Sequence, residues 1–277
     1  MGRVSRLWPS AVAGYFYPGQ AEALREALAR LTPATGSLED CTAAIVPHAS
    51  YSISGSVAGH TFARVRVPRR CIVLGANHTG GGAGWALLEG GAYRTPLGEI
   101  AIDDELSEQL ARRCQLIEID ETPHRGEHSI DMQLPWLQWL GPADVSVVSV
   151  VVRSAWPQEA DDVAAALADV VQAAGEPVLL IASSDLTHHE PAASVARKDA
   201  RLLEVLTGAD AGSVLKCIAS QRATVCGAGA LAAVAWAARR LGSASGQVVR
   251  RATSAEAGGD PGSATGYAGV IYRNLGE

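Results

Sequence analysis

The chain is expected to fold as a single α/β domain built on a mixed, mainly parallel sheet with helices on both faces. Three observations carry this expectation. Short apolar runs without alternation, AAIVPH (43–48), CIVLGANH (71–78) and PVLLIASSDLTH (177–188), read as strands buried on both sides. The stretches between them carry apolar residues at helical spacing, as the crossover connections of parallel strands require. A length of 277 residues lies within reach of one hydrophobic core, so residues 1–277 are read as one domain.

Taken in order, AEALREALARL (21–31) is an amphipathic helix closed by Thr32 and Pro33. The strand 43–47 leads through a loop into a helix from Ser56 to Arg64. The strand 71–75 ends in ANHTGGGAG (76–84), whose glycines let the backbone pass close to a neighbour. WALLEGGAYRTPLGEIAID (85–103) reads as two short strands around a Thr-Pro-Leu-Gly turn, and DDELSEQLARRC (103–114) as a helix with Asp at its start. EHSIDMQLPWLQWL (127–140) has apolar residues at 130, 134, 137 and 140, a helical spacing opened by Glu127 and His128. Pro135 should kink that helix or split it in two. VSVVSVVV (145–152) is a strand, 158–174 a helix and 177–183 a strand. Residues 195–206 and 211–219 read as helical, and CGAGALAAVAWAARRLG (226–242) as a long buried helix. QVVRRAT (247–253) and SATGYAGVIYR (263–273) close the sheet.

Composition excludes several classes. Hydrophobic residues at 48% and charged residues at 19% describe an ordinary globular chain, and a net charge of −6 argues against nucleic-acid binding. No apolar run approaches the roughly 20 residues of a membrane span. The first 19 residues hold no continuous apolar stretch of a secretory signal, and Arg6 stands where myristoylation of Gly2 would want Ser or Thr. A cytoplasmic protein is expected. Five cysteines, none in a CxxC pair, argue against a disulfide framework or a zinc ribbon, and Cys41, Cys71, Cys114 and Cys217 read as core residues.

In open α/β sheets ligands bind beyond the carboxyl ends of strands. The three apolar runs therefore deliver His48, His78, Asp185 and His188 to one edge. Taken singly, His48 and His78 each read as a core or capping group bonded to a carbonyl rather than as a ligand. Together, two imidazoles become available to one cation. Asp185 serves either as a helix cap or to orient an imidazole or substrate. His188 is suited to move a proton near neutrality, whereas His189 and Glu190 read as surface residues. Glu127 and His128 are either a helix-start charge with a solvated neighbour or a pair contacting substrate in the same crevice. Tyr51 and Asn77, in the loops of the two histidines, are candidates for the same role. Cys226 begins an apolar helix, where amides and the helix dipole should lower its thiol pKa; packing against Gly227 and Gly229 is its other reading. A thiolate beside two imidazoles is a soft third ligand that favours iron, copper or zinc over magnesium or calcium. No HExxH helix, P-loop or G-x-S-x-G elbow accompanies these residues.

Eight ordered motifs, SAVAGYFYPG, VPHASYSISG, LGANHTG, TPLGEIAID, EHSIDMQLPWLQ, SSDLTHHE, TVCGAGA and TGYAGV, resemble those of the MEMO family, the AmmeMemoRadiSam system protein B group. The resemblance covers essentially the whole chain. It implies a fold similar to class III extradiol dioxygenases, which use non-haem Fe(II). It implies metal ligands at His48, His78 and Cys226, with His188 as the acid–base histidine and Asp185 beside it. The implied activity is oxidation of a small organic substrate with dioxygen on Fe(II), or alternatively copper. Two other readings stand beside it: a non-catalytic metal- or peptide-binding partner of radical-SAM and AMMECR-type proteins, and a zinc hydrolase with His188 or Glu127 as base. The chain departs from the family pattern at Ser50, Ile53, Asp131 and His189.

Overall fold

The sheet has eleven strands in the computed structural model, which describes residues 6–34, 37–153, 155–208 and 211–274. Gly2 lies outside the described residues. The strands are β1 (Leu7–Pro9), β2 (Cys41–Val46), β3 (Arg70–Ala76), β4 (Trp85–Leu87), β5 (Ala92–Thr95), β6 (Gly98–Ile102), β7 (Ile117–Ile119), β8 (Ser146–Val152), β9 (Val178–Ser183), β10 (Gly246–Thr253) and β11 (Gly266–Arg273). Eight α-helices connect them: α1 (Ala21–Leu31), α2 (Gly55–Phe62), α3 (Asp104–Arg113), α4 (Leu134–Leu140), α5 (Pro157–Ala173), α6 (Ala192–Thr207), α7 (Val214–Gln221) and α8 (Ala228–Arg240).

The main path runs β1-β5-β6-β8-β3-β9-β2-β11-β10, with β4 also paired to β8 and β7 to β4. Six of the ten pairings are parallel, which makes the sheet mixed but mainly parallel, as expected. Every residue of β3, β8 and β9 is buried, and this explains why their sequences do not alternate. One face is covered by α1, α2 and α4 through Leu24, Phe62 and Trp136. The other is covered by α3, α5, α6, α7 and α8 through residues such as Leu110, Leu167, Leu202, Val214 and Val234. Among the described residues no helix is long and apolar enough to cross a membrane.

Three expectations are corrected. The stretch 85–103 holds three strands rather than two, because Gly90 and Gly91, both at positive φ, break the first from the hairpin. Two three-residue strands, β1 and β7, were too short to leave a pattern. The helix read over 127–140 begins only at Leu134, after a 3-10 turn at Asp131–Gln133, with Pro135 in its first turn where no N–H is needed. Asp103, by contrast, caps α3 as expected, its side chain accepting from Leu106 N.

Candidate metal centre

The strands β3, β9 and β2 are neighbours in the sheet and parallel, so their carboxyl ends open on one edge. Two residues beyond each end stand His78, Asp185 and His48. Cys226 reaches the same edge from the turn before α8. The ligand atoms of His48, His78 and Cys226 lie within 4.8 Å of one another, and Cys226 Sγ is 3.2 Å from His48 Nε2.

The hydrogen-bond network assigns the proton on each imidazole. Ser183 Oγ gives its only hydrogen to Ser129 O at 2.6 Å, so it accepts from Gln133 Nε2 at 2.8 Å and from His48 Nδ1 at 3.1 Å. The lone pair of His48 is therefore on Nε2, facing Cys226. His78 Nδ1 donates to Glu127 Oε1 at 2.9 Å, the carboxylate–imidazole arrangement that orients a metal-binding histidine. Glu127 takes four N–H donors in all, from His78 Nδ1 and the backbones of His78, His128 and Ser129. Burial works against the Glu127 charge, yet His78 and the backbone donors hold its carboxyl down at about 2. Burial likewise opposes the charge on His78, but its bonds to Cys226 and Glu127 prevail and lift it to about 9.

The expectation that the helix start would lower the Cys226 thiol pKa is overturned. Burial pushes it up, against the hydrogen bond to His78 that draws it down. The first α8 residue is Ala228, and the Gly227 N–H donates to Ser184 Oγ rather than to the sulfur. Asp185 N–H is the amide that meets Cys226 Sγ, at 3.3 Å.

Asp185 caps no helix. Its Oδ1 accepts from the N–H groups of His48 at 2.8 Å and Ala49 at 3.3 Å, which fastens the His48 loop to β9. Its Oδ2 is 4.0 Å from His188 Nε2. His188 Nδ1 lies 2.7 Å from Thr224 O, a carbonyl that can only accept, so Nε2 carries the free lone pair. Thr224 Oγ1 also accepts from His188 N and donates to His188 O, both at 2.9 Å, which couples the cysteine turn to the His188 loop. His189 adopts φ 54°, and Glu190 is ion-paired with Lys198 at 2.6 Å rather than free at the surface.

His128 is half-buried, not solvated. It stacks on His78 at 4.4 Å between ring centroids, meets Phe16 edge-on at 5.1 Å, and is held neutral by burial, its pKa falling to about 4. Tyr51 and Asn77 spend their polar atoms elsewhere: Tyr51 OH donates to Met132 O, and Asn77 braces its own loop through Gly80 N and Gly81 O. Ser129, Gln133, Thr224 and Phe16 escaped the sequence reading, since nothing in their local pattern foretells partners so far along the chain.

The donor set fits a borderline or soft cation: two imidazole nitrogens and one sulfur converge from three loops, each histidine held at its remote nitrogen. A family profile described as Memo-like protein matches residues 8–271. A MEMO1 family protein of Methanopyrus kandleri is 36% identical over 95% of this chain and 98% of its own length. Another, of Methanothermobacter thermautotrophicus, is 35% identical over 93% of this chain and 97% of its own. A third, of Sulfolobus acidocaldarius, is 35% identical over 82% and 81%.

Proposed function

The chain belongs to the Memo-like protein family, and from that premise we propose that it is a metal-dependent oxidoreductase, its ion held by His48, His78 and Cys226, acting on a small organic substrate with dioxygen. The observation that carries the reading is the convergence of those three donor atoms within 4.8 Å, with the imidazole of His188 nearby and its Nε2 free. When bound, a redox-active ion such as Fe(II), or copper in its place, supplies Lewis acidity and electron exchange with dioxygen.

The chain's own residues supply the rest. Glu127 and Ser183 hold His78 and His48 in the tautomers that present Nε2 to a cation. His188 takes or gives a proton at Nε2, which lies 4.0 Å from Asp185 Oδ2. The neutral His128 ring and Phe16 form an aromatic wall against which a substrate ring or chain can lie.

Anaerobic Fe(II) titration followed by nitric oxide EPR tests the reading. The wild-type protein should bind one equivalent and give the signal of a mononuclear iron with an exchangeable position. His48→Ala and Cys226→Ala should each abolish stoichiometric binding. Iron retained at full occupancy in both variants rejects the ligand set. One equivalent of zinc with no iron after anaerobic purification rejects the oxidoreductase reading in favour of metal-activated hydrolysis.

A further inference from the structure

Next to the His188 loop, α6 and the β10–β11 hairpin enclose a cavity of about 260 Å³. Its walls include Leu186, Ala196 and Leu203, and Asp199, Arg251 and Glu256 also line it. Asp199 is 7% exposed, and its Oδ1 takes both donors of Thr187, N–H at 3.1 Å and Oγ1 at 2.6 Å. Its Oδ2 accepts no hydrogen bond among the described residues. That oxygen lies against Gly266, where a Cβ would come within 1.7 Å of it, so the chain has left room for it. Burial lifts the Asp199 carboxyl to about 6 despite the Thr187 bonds. The neighbouring Lys198 does not supply one, being committed to Glu190.

The opposite charge stands on the same face of the hairpin. Thr253 pairs with Gly266 and Arg251 with Ala268, so Arg251 and the Asp199–Gly266 contact are two residues, about 7 Å, apart along one face. Arg250 turns to the other face, towards His60. Arg251 makes no ion pair among the described residues, and Glu256 is held by Thr253 N at 2.8 Å. An acceptor at the floor, a guanidinium along the wall and apolar sides between them define a ligand charged at both ends.

We propose that this cavity binds a small ammonium–carboxylate zwitterion of amino-acid size, its ammonium on Asp199 Oδ2 and its carboxylate on Arg251. Two hydrogen bonds and the length of such a molecule span the separation of the two groups. The site shares no residue with the proposed metal ligands. Because Asp199 also holds Thr187, next to His188, occupancy should be sensed at the His188 ring.

Saturation-transfer NMR on the full chain, with L-alanine, n-propylammonium and propionate as probes at millimolar concentration, tests the proposal. Alanine should bind best and propionate worst. Asp199→Asn keeps an acceptor for Thr187 but removes the charge, and should weaken alanine and propylammonium about tenfold or more. Arg251→Ala should weaken alanine and leave propylammonium unchanged. No transfer to any probe overturns the proposal, as does alanine binding that is unchanged in both variants. Unaltered far-UV and near-UV circular dichroism in Asp199→Asn ensures that a loss reports the missing charge rather than misfolding.

Discussion

Glu127 concentrates more of the candidate site's order than any other side chain, because four N–H donors converge on its two oxygens. Glu127→Gln keeps an acceptor but turns one oxygen into a donor, so at least one of those N–H groups loses its partner and His78 loses its anion. Metal affinity, measured by competition with a chromophoric chelator, should fall about 10- to 100-fold. His124 permits a separate test by pH. It is buried, with Nε2 donating to Ala86 O at 3.0 Å, and burial lowers its pKa from 6.5 to about 4. The unfolded chain therefore takes up this proton below about pH 6.5, while the folded chain resists it until about 4. Stability from this group is present above that window and is lost as pH falls through it, by up to about 3 kcal/mol. Asp199 acts with the opposite sign: its folded pKa is raised from 3.8 to about 6, so its contribution declines as pH rises between those values. The two partly cancel in the wild type. The difference between wild type and His124→Gln isolates the histidine: urea unfolding at pH 7.5 and 4.5 should show a shallower acid loss in the variant.

At the scale of elements, the site is assembled by strand ends and the turns that lock them. Gly227 packs so tightly that a Cβ there would lie 2.6 Å from Ser184 Cβ and 2.9 Å from Ser183 O. Gly227→Ala should push the cysteine turn off β9, cost about 1–3 kcal/mol in denaturant unfolding, and weaken metal binding in the same protein. Gly75→Ala is expected to act on the other histidine, since its Cβ would fall 2.4 Å from Ser129 Oγ, which now donates to Ala76 O. These contacts also show what could be read in advance. The ends of β2, β3 and β9 were legible because strands buried on both faces leave unbroken apolar runs, and such runs stop where the chain turns. The start of α4 was not, because Glu127 recruits the N–H groups of His128 and Ser129 into a tight turn that competes with the helix its apolar spacing favours. The Cys226 turn was legible as a position but not in its electrostatics: proximity to a helix start argued for a lowered thiol pKa, and burial decided otherwise.

For the molecule as a whole, the three proposed ligands come from segments 30 and 148 residues apart (48 to 78, 78 to 226), and they join β2, β3 and the turn into α8. No compact metal-binding spacing links them, and the fold is what brings them together; a cation that binds there binds the folded chain and not the unfolded one. Mass action then gives its effect on global stability. At a free metal concentration one hundred times the dissociation constant, the gain is about 2.7 kcal/mol. For a domain of this size that corresponds to a rise of about 5–10 °C in Tm. Anaerobic calorimetry of the wild type with Fe(II) should show the rise, and a chelator should reverse it. His48→Ala and Cys226→Ala should unfold at temperatures that no longer depend on the metal. The Asp199→Asn variant should respond like wild type, since its cavity contributes no ligand. A metal-dependent rise of the same size in all four proteins would place the ion elsewhere on the molecule.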